Sequence, residues 1–118
     1  MSSYALSYRP KVRVEVYFPI RDQARYKDYL EWLIDELTRL HGGCTVLENM
    51  SGYYCSQTKE LVADRVNVVY SDFEFDWSKV KERAVVLEYC AKLRQFLLEN
   101  LWEEEVLISA YPVSHVSQ

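Results

Sequence analysis

The chain has 118 residues, 49% of them hydrophobic and 27% charged, with a formal net charge of −4. That balance fits one globular domain over 1–118, with a core that needs no disulfide or metal staple. The acidic excess argues against nucleic acid and against an anionic membrane as partners. No run of 18 uninterrupted apolar residues exists, so no membrane-spanning helix is expected. Cys44, Cys55 and Cys90 form no CxxC pair, and the N-terminus has no basic-then-apolar leader. A reduced, cytoplasmic chain is the expectation.

Residues 1–10, with Tyr4 and Tyr8, read as a flexible arm that ends near Pro10. Val12, Val14, Val16 and Phe18 then alternate with Arg13, Glu15 and Tyr17, the period of a half-buried strand closed by Pro19. Asp22 suits the N-cap of a helix over 23–41, whose stripe is Tyr26, Leu30, Leu33, Leu37 and Leu40. Trp32 falls on the polar side, where it covers a loop or meets another chain. Gly42-Gly43 ends the helix, since glycine reaches positive φ without a Cβ clash.

A second strand is predicted over 44–55, with a bulge at Ser51-Gly52 and a turn at 57–59. The third runs from Leu61 to Tyr70, with Val66, Val68 and Tyr70 on one side and Arg65, Asn67 and Val69 on the other. The stretch 72–77 alternates acid and aromatic and reads as a linker. Asp76 or Ser78 caps a second helix over 78–101, striped by Val86, Tyr89, Cys90, Leu93 and Leu97 and apolar around more of its girth than the first. Val106, Ile108 and Ala110 mark a fourth strand, and residues 114–118 a second flexible arm.

Strand, helix, strand, strand, helix, strand folds most simply as two interleaved βαβ units with right-handed crossovers. The product is one four-stranded antiparallel sheet, order 4-1-3-2, with both helices on one face. This α+β pattern resembles the ferredoxin-like superfamily across residues 11–113. Three short motifs also resemble an uncharacterised family of small bacterial domains: Tyr17-Phe18-Pro19, Gly43-Cys44-Thr45-Val46 and Gly52-Tyr53. That resemblance implies no activity.

With the valines turned toward the helices, the helix-free face carries Arg13, Glu15 and Tyr17 from strand one and Arg65, Asn67 and Val69 from strand three. Strand four adds Leu107, Ser109 and Tyr111, and strand two adds Thr45 or Val46. Three uses are open to such a face. It can be solvated, it can stack on a second copy or a protein partner, or it can bind a small molecule or anion at Arg13, Glu15, Tyr17, Arg65, Asn67 and Tyr111. Arginine's planar fork suits a carboxylate or phosphate. An RNA-binding sheet is disfavoured because strand three lacks a basic Gly-aromatic signature.

No metal or cofactor is expected. Asp72, Glu74 and Asp76 copy the start of a calcium loop, but the glycine is missing and the twelfth position is Arg83. His41 and Cys44 supply two ligands where zinc needs three or four. Neither a catalytic triad nor a phosphate loop is present, so whether the chain is an enzyme stays open on these residues.

Overall fold

A computed structural model describes residues 7–117. The elements are β1 (Ser7–Pro19), α1 (Ala24–His41), β2 (Thr45–Cys55), β3 (Leu61–Phe73), α2 (Val80–Leu101) and β4 (Ile108–Ser117). They form one antiparallel sheet in the order β2-β3-β1-β4, the expected arrangement, with both helices packed on one face. Val12, Val14, Val16 and Phe18 lie at 1% exposure or less beneath Leu33, Leu37, Val86, Leu93 and Leu97.

The face assignment of β3 is the main correction. Val16 stands opposite Val69, Val14 opposite Ser71 and Val12 opposite Phe73. The helix-facing set is therefore Val69, Ser71 and Phe73, and the open face receives Val66, Val68, Tyr70 and Asp72. A change of phase by one residue sends every side chain to the other face. The strand runs on to Phe73, beyond the expected end at Tyr70. Burying that ring, which is 1% exposed, selects the phase that contains it.

The bulge is also displaced. The β2–β3 register shifts between Leu47 and Met50, whereas Ser51 and Gly52 pair regularly with Arg65 and Asp64. Asn49 has φ 59°, a left-handed conformation that asparagine tolerates better than most residues. Arg65 holds it: Nε donates to Asn49 Oδ1 at 2.9 Å and Nη2 to its carbonyl at 3.1 Å. The Asn49 N–H donates to Asn67 Oδ1 at 2.9 Å.

The stretches expected as arms are, where described, paired strand, from Ser7 opposite Ser117 to Pro10 opposite Ser114. Pro10 fits because β3 pairing begins only at Val12, so no partner on that side needs its missing N–H. Tyr4 lies outside the described residues.

Gln23, not Asp22, precedes α1, and Gly42 at φ 80° ends it as expected. Lys79 precedes α2, and Asp76 instead closes a turn upstream by accepting from the Ser78 N–H and hydroxyl. β4 begins at Ile108, two residues late, while Val106 is buried in the connection before it. Trp32 is neither loop cover nor exposed contact. It lies on Phe96 of α2, ring centroids 4.6 Å apart, because the wide apolar flank of α2 offers a seat there.

Candidate functional site

The helix-free face has a polar side over β1 and β4 and an apolar side over β3 and β2. Arg13 on β1 and Asp72 on β3 are register partners, and Arg13 grips both carboxylate oxygens, at 2.8 and 3.0 Å. The guanidinium also lies 4.3 Å from the centre of the Tyr70 ring. Asp72 Oδ2 takes a third contact, from His115 Nε2 at 2.6 Å. The Arg13 hydrogen bonds hold the Asp72 carboxyl below the usual carboxylate range, with His115 adding to the effect.

Next along β1, Glu15 accepts from two tyrosine hydroxyls. Tyr17 donates to Oε2 at 3.1 Å and Tyr111 donates to Oε1. The Tyr17 hydroxyl is pushed up, first by burial and then by its bond to Glu15. Tyr111 is pushed up by its hydrogen bond to Glu15. The side chains of this polar side are thus hydrogen-bonded to one another.

The apolar side comes from Val66 and Val68 of β3 and from Leu47, Met50 and Tyr54 of β2, placed there by register against Val68, Val66 and Val62. Leu47, Met50 and Tyr54 are 44, 44 and 54% exposed, while Val68 between Leu47 and Tyr17 is 7% exposed.

Of the six residues expected to form a site, four come together: Arg13, Glu15, Tyr17 and Tyr111. Arg65 and Asn67 do not join them. The phase of β3 places both on the opposite face, where they brace the Asn49 bulge. A two-arginine anion clamp therefore does not form, and Arg13 is occupied by Asp72. Residues that the sequence reading missed are Val68, Tyr70, Asp72 and His115. Phe73 was the available signal, because treating it as the end of a strand brings Val66, Val68, Tyr70 and Asp72 to the open face together.

Among the described residues, no three His, Cys, Asp or Glu side chains converge as metal ligands. No described helix is long and apolar enough to cross a membrane.

No protein-family model matches the chain, and no curated protein matches it. Among solved structures, the crystal structure of CutA1 from Oryza sativa is similar, with a TM-score of 0.52 and 14% sequence identity over 89% of this chain and 81% of that one. At that identity the likeness is one of fold. Taken with the topology, it shows that the chain has the ferredoxin-like α+β fold.

Proposed function

We propose that the chain is a small self-associating module, a cytoplasmic homodimer that stacks the helix-free faces of two sheets. The observation that carries this reading is the apolar stripe of Leu47, Val66 and Met50 over the buried Val68, flanked by Tyr17 and Tyr54, with both helices packed on the other face. Continuous apolar area on an otherwise charged surface marks an interaction site. The tyrosines suit an interface because they bring large rigid area at small entropic cost.

A second copy fits the stripe because its border of polar groups is already hydrogen-bonded within each chain. Arg13 is paired with Asp72 and Glu15 is hydrogen-bonded by two tyrosines, so a second copy meets a border whose polar groups already have partners. Membership of the uncharacterised bacterial family belongs to this proposal and rests on the three short motifs alone. Light scattering across a concentration series tests the association. A mass of twice 14.0 kDa supports the reading, and a strict monomer at the highest concentration refutes it.

A further inference from the structure

One end of the sheet carries a feature beyond the apolar stripe of Leu47, Val66 and Met50. β2 begins only at Thr45, opposite Tyr70, so Ser71 to Phe73 of β3 have β1 on one side and no strand on the other. A groove of about 280 Å3 fills that gap, lined among others by Lys11, His41, Thr45, Tyr70, Asp72 and His115. We propose that this groove binds a small oxyanion, a carboxylate or phosphate group, with Lys11 and His115 as its principal donors.

Charge at this end is the first reason. Arg9 and Lys11 both pair with one oxygen of Glu74, at 2.9 and 2.8 Å. Arg13 and His115 share the single carboxylate of Asp72. Three permanent cations thus face two carboxylates at this end of the sheet, in a chain whose net charge is −4, with Lys11 and Asp72 on the groove wall itself. Lys11 is held with its side chain 12% exposed, so its ammonium is delivered to a fixed place.

Hydrogen bonding is the second. Asp72 stays ionised beside Arg13, so the nitrogen that His115 turns to it is the one bearing a proton. In the imidazolium form the other ring nitrogen also carries a proton and is free to donate to an oxyanion, at a side chain 45% exposed. His41, on the groove wall, has a buried Nε2 with no partner among the described residues. Buried polar atoms of this kind are normally satisfied by protein, water or ligand. Two carbonyls near the end of α1 are occupied. Thr38 O accepts from Gly42 N–H, and Gly43 O accepts from the Ser71 hydroxyl at 2.5 Å.

The test is a titration of isotope-labelled protein with acetate, inorganic phosphate and chloride at matched ionic strength, followed through backbone amide signals. Acetate or phosphate is expected to give saturable shifts confined to residues near Lys11, Thr45, Asp72 and His115, and the tighter of the two identifies the ligand class. Chloride is expected to give none. Lys11→Met weakens binding about tenfold, the usual scale for a lost charge-assisted contact. Glu74→Gln, which keeps the cation and removes its competitor, tightens binding severalfold. Shifts that never saturate, that chloride reproduces, or that Glu74→Gln fails to strengthen would overturn the site. Because Leu47, Met50, Val66 and Val68 of the apolar stripe do not line the groove, failure here leaves the association surface standing, and the reverse.

Discussion

Arg13 closes a two-pronged bridge on Asp72 across the β1–β3 ladder, with both nitrogens within 3.0 Å of a carboxylate oxygen. The pair is half buried, at 29% and 13% side-chain exposure, and it joins residues 59 apart in sequence. It leaves the Arg13 guanidinium committed to Asp72.

Arg13→Ala is expected to destabilise the fold by about 1–3 kcal/mol, since it strands a partly buried carboxylate as well as losing two hydrogen bonds. Denaturant unfolding measures this. Asp72→Asn additionally changes the acid limb. The carboxyl of Asp72 lies below its ordinary value when folded, so its contribution is complete above that value and is lost as pH falls through the folded one. Melting temperature against pH should therefore fall less steeply below about pH 4 in Asp72→Asn than in the parent.

The alkaline limb is set on the other side of the sheet. Burial pushes Tyr26 and Tyr89 up to about 12 and the Cys90 thiol up to about 11. Each group loses its proton sooner in the unfolded chain, so its contribution is whole below the unfolded value and vanishes as pH rises through the folded one. Stability should decline from pH 9 upward and be lost progressively toward pH 12, because the ordinary thiol value is 9.0 and the raised tyrosines reach about 12. Tyr26→Phe removes a hydroxyl that meets the Leu101 carbonyl and Glu103 Oε2. It should cost about 1–2 kcal/mol at neutral pH and shrink the alkaline slope.

Trp102 ends α2 at φ 53°, where glycine is the usual residue, and Arg25 lies 3.2 Å from the centre of its ring. Trp102→Gly relieves about 1 kcal/mol of left-handed strain but forfeits a cation–π contact worth about 0.5–1 kcal/mol. The substitution should be near neutral alone and stabilising in an Arg25→Ala background. Thermal unfolding of the two singles and the double closes that cycle.

Much of the architecture was legible in alternation and stripe. Val12 to Phe18 can only be a half-buried strand, and the spacing from Tyr26 to Leu37 can only be one face of a helix. Gly42 announces its own positive φ. The open face was less legible because β3 has apolar residues in both phases, with Val68 and Val69 adjacent, so alternation alone does not decide which side is covered. The decision belongs to packing: Phe73 needs the helices, and its neighbours follow it. Asn49 was hidden for a similar reason. Gly52 is the more permissive residue nearby, but only Asn49 has Arg65 and Asn67 within reach to hold the bulge. His115 could not be placed beside Asp72 without the β1–β4 register, which pairs it with Arg9.

Arg65 offers a control on face assignment. It sits with the helices' side of the sheet, bonded to Asn49, so Arg65→Ala should lower stability by about 0.5–1.5 kcal/mol and leave self-association untouched. If light scattering shows that Arg65→Ala dissociates the assembly, β3 presents the other phase to the partner.

The measurement that bears most directly on the association surface is sedimentation equilibrium of Leu47→Asp beside Val85→Asp. Both positions are about half exposed in the single chain, at 44% and 51%, so neither change should unfold it. Leu47 lies on the helix-free face and Val85 on α2. The expected result is a monomer for Leu47→Asp and an unaltered dimer for Val85→Asp. A dimer that survives Leu47→Asp but breaks with Val85→Asp would contradict the account, because the partner would then be docking on the helices.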